Sequence, residues 1–146
     1  VLRKDFTIDP YMIYQARTLG ASAILLICSL LSQSELEEYQ AIATELGMSA
    51  LVEAHDEQEV EMALRAEASI IGVNNRDLKT FTVDINNSAR YRKMVPKEVS
   101  FVSESGIKTA EDIAKLLENG TDAVLIGETL MRSENKKQAL DELRGM

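Results

Sequence analysis

The stretch Ala23-Ile24-Leu25-Leu26-Ile27-Cys28, then Ser32 to Gly47, then Ala50-Leu51-Val52 decides how the chain is read. The first and last pieces are short apolar runs without polar alternation, as expected of parallel strands covered on one face by helices. The piece between them is helical. Ser32 and Glu35 have capping-box spacing, and so do Ser34 and Glu37. Leu36, Tyr39, Ile42, Ala43 and Leu46 then recur at helical intervals before the glycine stop at Gly47.

The same unit repeats on either side of this stretch. Apolar runs stand at Val1–Leu2, Ile70–Val73, Val99–Val102 and Ala123–Ile126. Asp9 before Pro10 is a helix start and Gly20 its stop. Asp56 with Glu59, and Thr109 with Asp112, repeat the starting signal, and Gly120 closes the later helix. Ile113, Leu116 and Leu117 are expected to form that helix's buried stripe, and Tyr11, Met12 and Tyr14 to cover the sheet. A last helix is predicted from about Asn135 to Leu143, and residues 75–87 form the longest polar connection. No Pro/Gly/Ser-rich linker divides the chain, so residues 1–146 read as one domain.

Six strand–helix units in a row predict an α/β fold of the (β/α)₈ TIM-barrel type. Eight units close a barrel of about 250 residues. The expectation is therefore a partial barrel, strands three to eight, with the amino-terminal part missing. An open doubly wound sheet is the structural alternative, but no glycine-rich dinucleotide fingerprint follows any strand.

Composition narrows the function. The net charge is −8 with no basic run, which argues against a nucleic-acid partner. The longest apolar run falls far short of the ~20 residues of a membrane span, and no signal peptide opens the chain. A cytoplasmic protein is expected. The single cysteine, Cys28, reads as a small core residue, and the single histidine, His55, has no partner at metal-ligand spacing.

Polar residues gather where the strands end. These are Lys4 and Asp5, then Glu53, then Asn74-Asn75-Arg76, then Ser103-Glu104-Ser105-Gly106, then Gly127-Glu128. A lysine or glutamate after one strand is ordinarily a solvated loop residue. Carboxyl ends of parallel barrel strands, however, share one rim, where barrel enzymes keep their catalytic groups. Lys4 and Glu53 suit acid–base work on a carbonyl or hydroxyl group, while Asn74 and Ser105 suit hydrogen bonding to substrate. Glu104 is counted with the substrate-binding residues. Ser105-Gly106 and Gly127-Glu128 are small-residue turns able to expose backbone N–H groups to phosphate, with Arg76 adding charge.

The blocks Val1 to Phe6, Leu51 to Asp56, Ile71 to Phe81, Val102 to Ile107 and Ile126 to Met131 are similar to consecutive blocks of indole-3-glycerol-phosphate synthase. Asn74-Asn75-Arg76-Asp77-Leu78-Lys79-Thr80-Phe81 holds the most specific run. The resemblance implies a carboxy-lyase that closes the indole ring of 1-(2-carboxyphenylamino)-1-deoxyribulose 5-phosphate with loss of carbon dioxide and water. It implies no metal or organic cofactor. By it, Lys4 is the general acid and Glu53 the carboxylate that stabilises charge or accepts a proton. Asn74 and Ser105 hold substrate polar groups. Phe6 packs on the anthranilate ring, and Arg76, Gly106, Gly127 and Glu128 (through its backbone) frame the phosphate.

The family also uses a glutamate and a second lysine from strand one, which lie outside this sequence. The chain alone is therefore expected to have little activity and to self-associate, or to need the amino-terminal part. Two rival readings are a phosphate-binding barrel isomerase acting on a phosphoribosyl compound and a non-catalytic fragment. The related phosphoribosylanthranilate isomerase uses a cysteine and an aspartate, where strand ends here supply Lys4 and Glu53.

Overall fold

The computed structural model describes residues 1–76, 80 and 82–145. Six strands, β1 (Leu2–Arg3), β2 (Ala23–Ile27), β3 (Ser49–Ala54), β4 (Ile70–Asn74), β5 (Ser100–Glu104) and β6 (Ala123–Leu125), form one sheet. Every neighbouring pair is parallel, and the strands lie side by side in chain order. A doubly wound sheet reverses its strand order at a switch point, and this one never does. The winding is that of a partial (β/α) barrel.

The helices are α1 (Pro10–Thr18), α2 (Gln33–Glu45), α3 (Glu57–Arg65), α4 (Asn86–Arg92), α5 (Ala110–Glu118), α6 (Glu128–Arg132) and α7 (Lys136–Leu143). Among the described residues, no helix is long and apolar enough to cross a membrane. Most begin where the sequence signals. Asp9 accepts a hydrogen bond from Tyr11 N at 2.8 Å ahead of Pro10, and Asn135 caps α7. Ser32 with Glu35, and Thr109 with Asp112, form reciprocal capping boxes. The alternative start at Ser34 is unused, because Glu37 instead accepts from Gln33 Nε2. The chain turns out of α1 at Gly20, whose φ of 85° carries no steric penalty for glycine.

Alternation along each strand sorts the side chains onto two faces. Ile24, Leu26, Val52, Ala54, Ile71, Val73 and Phe101 face the helices and pack with Ile13, Ala16, Leu36, Tyr39, Ala43, Val60 and Ala63. From α1, therefore, Ile13 and Ala16 cover the sheet; Tyr11 and Tyr14 are 69% and 49% exposed. On α5, Leu116 is buried, whereas Leu117, about 100° further round the helix, is 71% exposed. The opposite face holds a smaller cluster of Leu25, Ile27 and Leu51, flanked by Leu2, Ile70, Val102 and Leu125.

Curvature follows from one contact. Lys4, just past β1, reaches Glu104 at the end of β5 with Nζ–Oε2 of 3.2 Å. On a flat sheet those strands would lie roughly 19 Å apart at ~4.8 Å per strand, beyond the reach of two extended side chains. The sheet must curl so that the smaller cluster lies on its concave side. Curling also buries Leu25, Ile27 and Leu51, each 6% exposed or less. The open edges, rather than the centre of the concave face, are what an incomplete barrel leaves to solvent.

Candidate active site

Glu53, Asn74 and Glu104 lie within their strands rather than just beyond them. Ladder hydrogen bonds therefore hold their backbones, and alternation aims all three at the concave side. Lys4 Nζ stands between two carboxylates, 2.8 Å from Glu53 Oε2 and 3.2 Å from Glu104 Oε2. Asn74 Nδ2 donates to Glu53 Oε1 at 2.9 Å. The carboxylates are only 2% and 1% exposed, but the lysine side chain is 36% exposed. The ammonium is thus the part of the cluster that solvent or a ligand meets first. Room for the second carboxylate comes from Gly72, where a Cβ would overlap Glu104 Oε1.

The charges in this cluster govern one another. Burial pushes the Glu53 carboxyl up, but His55, Lys4 and Asn74 outweigh it and hold the group well below the usual carboxylate range. Glu104 goes the other way. Burial and then the negative charge of Glu53 raise it to about 7, against the pull of Lys4. Burial lowers Lys4, yet its two carboxylates more than compensate and its pKa rises. The arrangement is a protonated lysine, an ionised carboxylate and a carboxyl that changes state near neutrality.

His55 was missed as a site residue by sequence reasoning. Its Nε2 lies 3.2 Å from Glu53 Oε1, too far off line for a hydrogen bond, and its Nδ1 lies 2.9 Å from Glu59 Oε2. Burial lowers the imidazole, but Glu53 and Glu59 overturn this and raise it to about 9. The signal was present as His-Asp-x-x-Glu at the start of α3. Asp56 caps that helix by accepting from Glu59 N at 2.9 Å, but the Glu59 carboxylate turns to His55 instead of completing a capping box. Among the described residues, no group of three or more His, Cys, Asp or Glu is arranged to hold a metal ion. Cys28 is buried, and desolvation followed by the charges of Glu59 and Asp56 pushes its thiol up to about 12.

A second region lies beside this cluster, along the ends of β4, β5 and β6. A groove is lined there by Arg76, Ser105, Gly106, Lys108, Gly127, Glu128, Thr129 and Arg132, among others. Ser105 and Gly106 both take positive φ, 66° and 80°, so the chain leaves β5 through a tight left-handed turn. Asn75 steadies it, donating from Nδ2 to Ser105 O at 3.1 Å and to Ser103 Oγ at 3.0 Å. The Asn75 Oδ1 meanwhile accepts from Ser88 N and Oγ, tying the first turn of α4 to the same point. A Cβ at Gly106 would collide with Val83. Thr129 Oγ1 donates to Ile107 O at 2.7 Å, joining the last two turns.

Arg76 points into this groove and pairs with Glu128, Nη2–Oε2 at 2.6 Å, while Arg132 Nε holds the other oxygen at 3.0 Å. The sequence reading assigned Glu128 its backbone only. The side-chain pairing joins residues 52 apart, which spacing cannot reveal. Lys108 and Arg132 are further groove cations that the sequence reading did not select. Phe6 is 61% exposed and stands just beyond Lys4. Asp77, Leu78, Lys79 and Phe81 of the most specific sequence block lie outside the described residues.

The raised groups make stability fall with pH. Glu104 favours its protonated form in the fold, so its contribution is complete below 4.5 and is lost as pH rises through about 7. His55, also raised, loses its contribution between 6.5 and about 9. Glu53, lowered, acts only at the acid end, where its contribution disappears as pH falls below 4.5. Urea midpoints should therefore decline from pH 5 to pH 9. Glu104→Gln, which imitates the protonated acid, should flatten the decline up to pH 7 and stabilise the chain at pH 8 by ~1–2 kcal/mol. An unchanged slope in Glu104→Gln would show that Glu104 is ionised throughout.

Residues 1–143 match the family model of indole-3-glycerol phosphate synthase. The indole-3-glycerol phosphate synthase of Ruminiclostridium cellulolyticum is 61% identical over 145 residues, which cover 99% of this chain and 56% of that protein. The synthase of Leuconostoc mesenteroides is 54% identical, with 99% and 55% covered. The chain spans about half the length of the curated relatives it matches. Among solved structures, 3-hexulose-6-phosphate synthase from Salmonella typhimurium superposes with a TM-score of 0.84 at 14% identity, over 99% of this chain and 71% of that one. Mandelate oxidase with 3,3-difluoro-2-hydroxy-3-phenylpropionic acid gives 0.79 at 17% identity, over 97% and 55%. At such identities these two are likenesses of fold alone. The sequence match, on a partial (β/α) barrel, places this chain in the indole-3-glycerol phosphate synthase family.

Proposed function

We propose that this chain supplies the acid–base cluster and the phosphate groove of an indole-3-glycerol-phosphate synthase site. The observation that carries the reading is Lys4 held between the buried Glu53 and Glu104 on the concave side of the sheet. A lysine kept protonated there is a general acid for a carbonyl or hydroxyl oxygen. In the proposed reaction the ring carbon bearing the carboxylate attacks the ribulose carbonyl, whose oxygen takes a proton from Lys4, which is recharged from solvent. The electron pair of the breaking carbon–carboxylate bond then restores the aromatic ring as carbon dioxide leaves. The hydroxyl departs as water with a second proton from Lys4, while the methylene carbon beside the nitrogen gives up the proton whose bonding pair closes the new ring double bond. Glu53, kept ionised, stabilises the developing positive charge or accepts a proton.

The remaining residues position substrate. Asn74 and Ser105 hold its polar groups, Glu104 lies against Lys4 to receive a hydroxyl, and the exposed Phe6 ring offers a stacking surface to the anthranilate. Arg76, Gly106, Gly127 and the Glu128 backbone frame the phosphate. For the phosphate to bind, Arg76 must give up Glu128, exchanging one anion for another.

We also propose that the chain by itself self-associates, since β1 and β6 are the sheet's outer strands and Val1 is 90% exposed beside the first.

Calorimetric titration of the chain with indole-3-glycerol phosphate tests the site. Saturable binding should weaken at least tenfold in Arg76→Ala, from the loss of a charged hydrogen bond of ~1.5–3 kcal/mol. Lys4→Ala should weaken it as well. Equal affinity in all three proteins would remove the phosphate assignment. Sedimentation at tens of micromolar should give dimers or larger species, and a monomer there would contradict self-association.

A further inference from the structure

His55 sits between the last residue of β3, Ala54, and the N-cap of α3, Asp56. Its ring bridges two carboxylates, Glu59 on one side and Glu53 on the other. Glu59 Oε2 takes both the ring Nδ1 at 2.9 Å and the backbone N–H of His55 at 2.8 Å, so one carboxylate grips the residue at two points. The ring side chain is only 13% exposed. With a carboxylate facing each nitrogen, a neutral ring would turn a lone pair toward an anion, and the doubly protonated form avoids that.

Glu53 in turn has its two oxygens divided among three groups. Asn74 Nδ2 and the His55 ring face Oε1, and among the described residues Lys4 alone holds Oε2. We propose that His55, clamped by Glu59, is a positioning residue for Glu53: the charge of its ring, 3.2 Å from Oε1, draws that oxygen toward α3 beside Asn74 and leaves Oε2 to Lys4. The proposal rests on the reading of Glu53 as an active-site carboxylate. Among the described residues, the charged groups that act on the imidazole are Glu53 on β3 and Glu59 in the first turn of α3, with Asp56 next to His55 in the chain. Lys4 and Glu104 stand beyond Glu53. The groups next to the ring are acidic, so the environment favours the charged form.

His55 is the chain's single histidine, so one imidazole resonance reports on it directly. We would follow that resonance by proton–carbon NMR from pH 5 to 10.5 in the wild-type chain, Glu59→Gln and Glu53→Gln, with amide dispersion confirming the fold. The wild-type midpoint should lie near 9. It should fall by more than one pH unit in each variant. A midpoint near the ordinary 6.5 overturns the proposal. So does a midpoint that falls in Glu59→Gln but not in Glu53→Gln, because His55 would then only staple α3 to β3. If Glu53→Gln does not fold, Glu53→Asp, which draws the carboxylate back from the ring, makes the same comparison. Failure of the chain to bind indole-3-glycerol phosphate would count against the ligand reading alone, since the titration is made without ligand.

Discussion

Two carboxylates buried within reach of one lysine are the constraint around which the rest of this structure is arranged. An ionised carboxylate removed from water is strongly unfavourable unless a cation or hydrogen-bond donors replace the lost solvation. Here the solution is a row of alternating charge that runs from Glu104 through Lys4, Glu53 and His55 to Glu59. Three acids alternate with two bases, which leaves one negative charge in excess. That excess is relieved at Glu104, the most buried member, where a proton is held to about neutrality. The row spans β5, the end of β1, β3 and the start of α3, so it exists only because the sheet is curled and Gly72 leaves a space beside Glu104.

The two regions of the candidate site are built on different physics. The lysine cluster is buried, ladder-supported and sensitive to single protons. The groove beyond β4, β5 and β6 is open, and its side chains are held by a left-handed turn, a buried asparagine and a surface ion pair. That division would suit the proposed substrate, whose reacting centre needs fixed charges and whose phosphate needs only an anchor. Arg76, Lys108 and Arg132 line that groove against Asp112 and Glu128, which leaves it locally positive on a chain whose net charge is −8.

Much of this was legible in the sequence. Unbroken apolar runs separated by capped amphipathic segments define the α/β alternation, and Asp9-Pro10, Ser32 with Glu35 and Thr109 with Asp112 act as read. The strand-end residues Lys4, Glu53, Asn74 and Glu104 were visible because a parallel sheet gathers strand ends whatever its detailed geometry. What escaped were facts of direction and partnership. Helical periodicity does not say which of two adjacent apolar faces meets the sheet, and Tyr11, Tyr14 and Leu117, expected to face inward, lie outward. His55 looked inert because a histidine was weighed only as a metal ligand, when two carboxylates at i−2 and i+4 were its true partners. Glu104 was placed with the substrate-binding residues, and its sharing of Lys4 with Glu53 required the curl of the sheet, which no local pattern encodes.

The most direct measurement of the alternating row is a carboxyl carbon-13 NMR titration of the glutamates in the intact chain, with Glu53 and Glu104 identified through their Gln variants. The row predicts that the two separate widely, Glu53 remaining ionised well below the ordinary glutamate value and Glu104 taking its proton near pH 7. If both titrated together near 4.5, the carboxylates would be independent and solvated, and Lys4 could not be the shared centre described here.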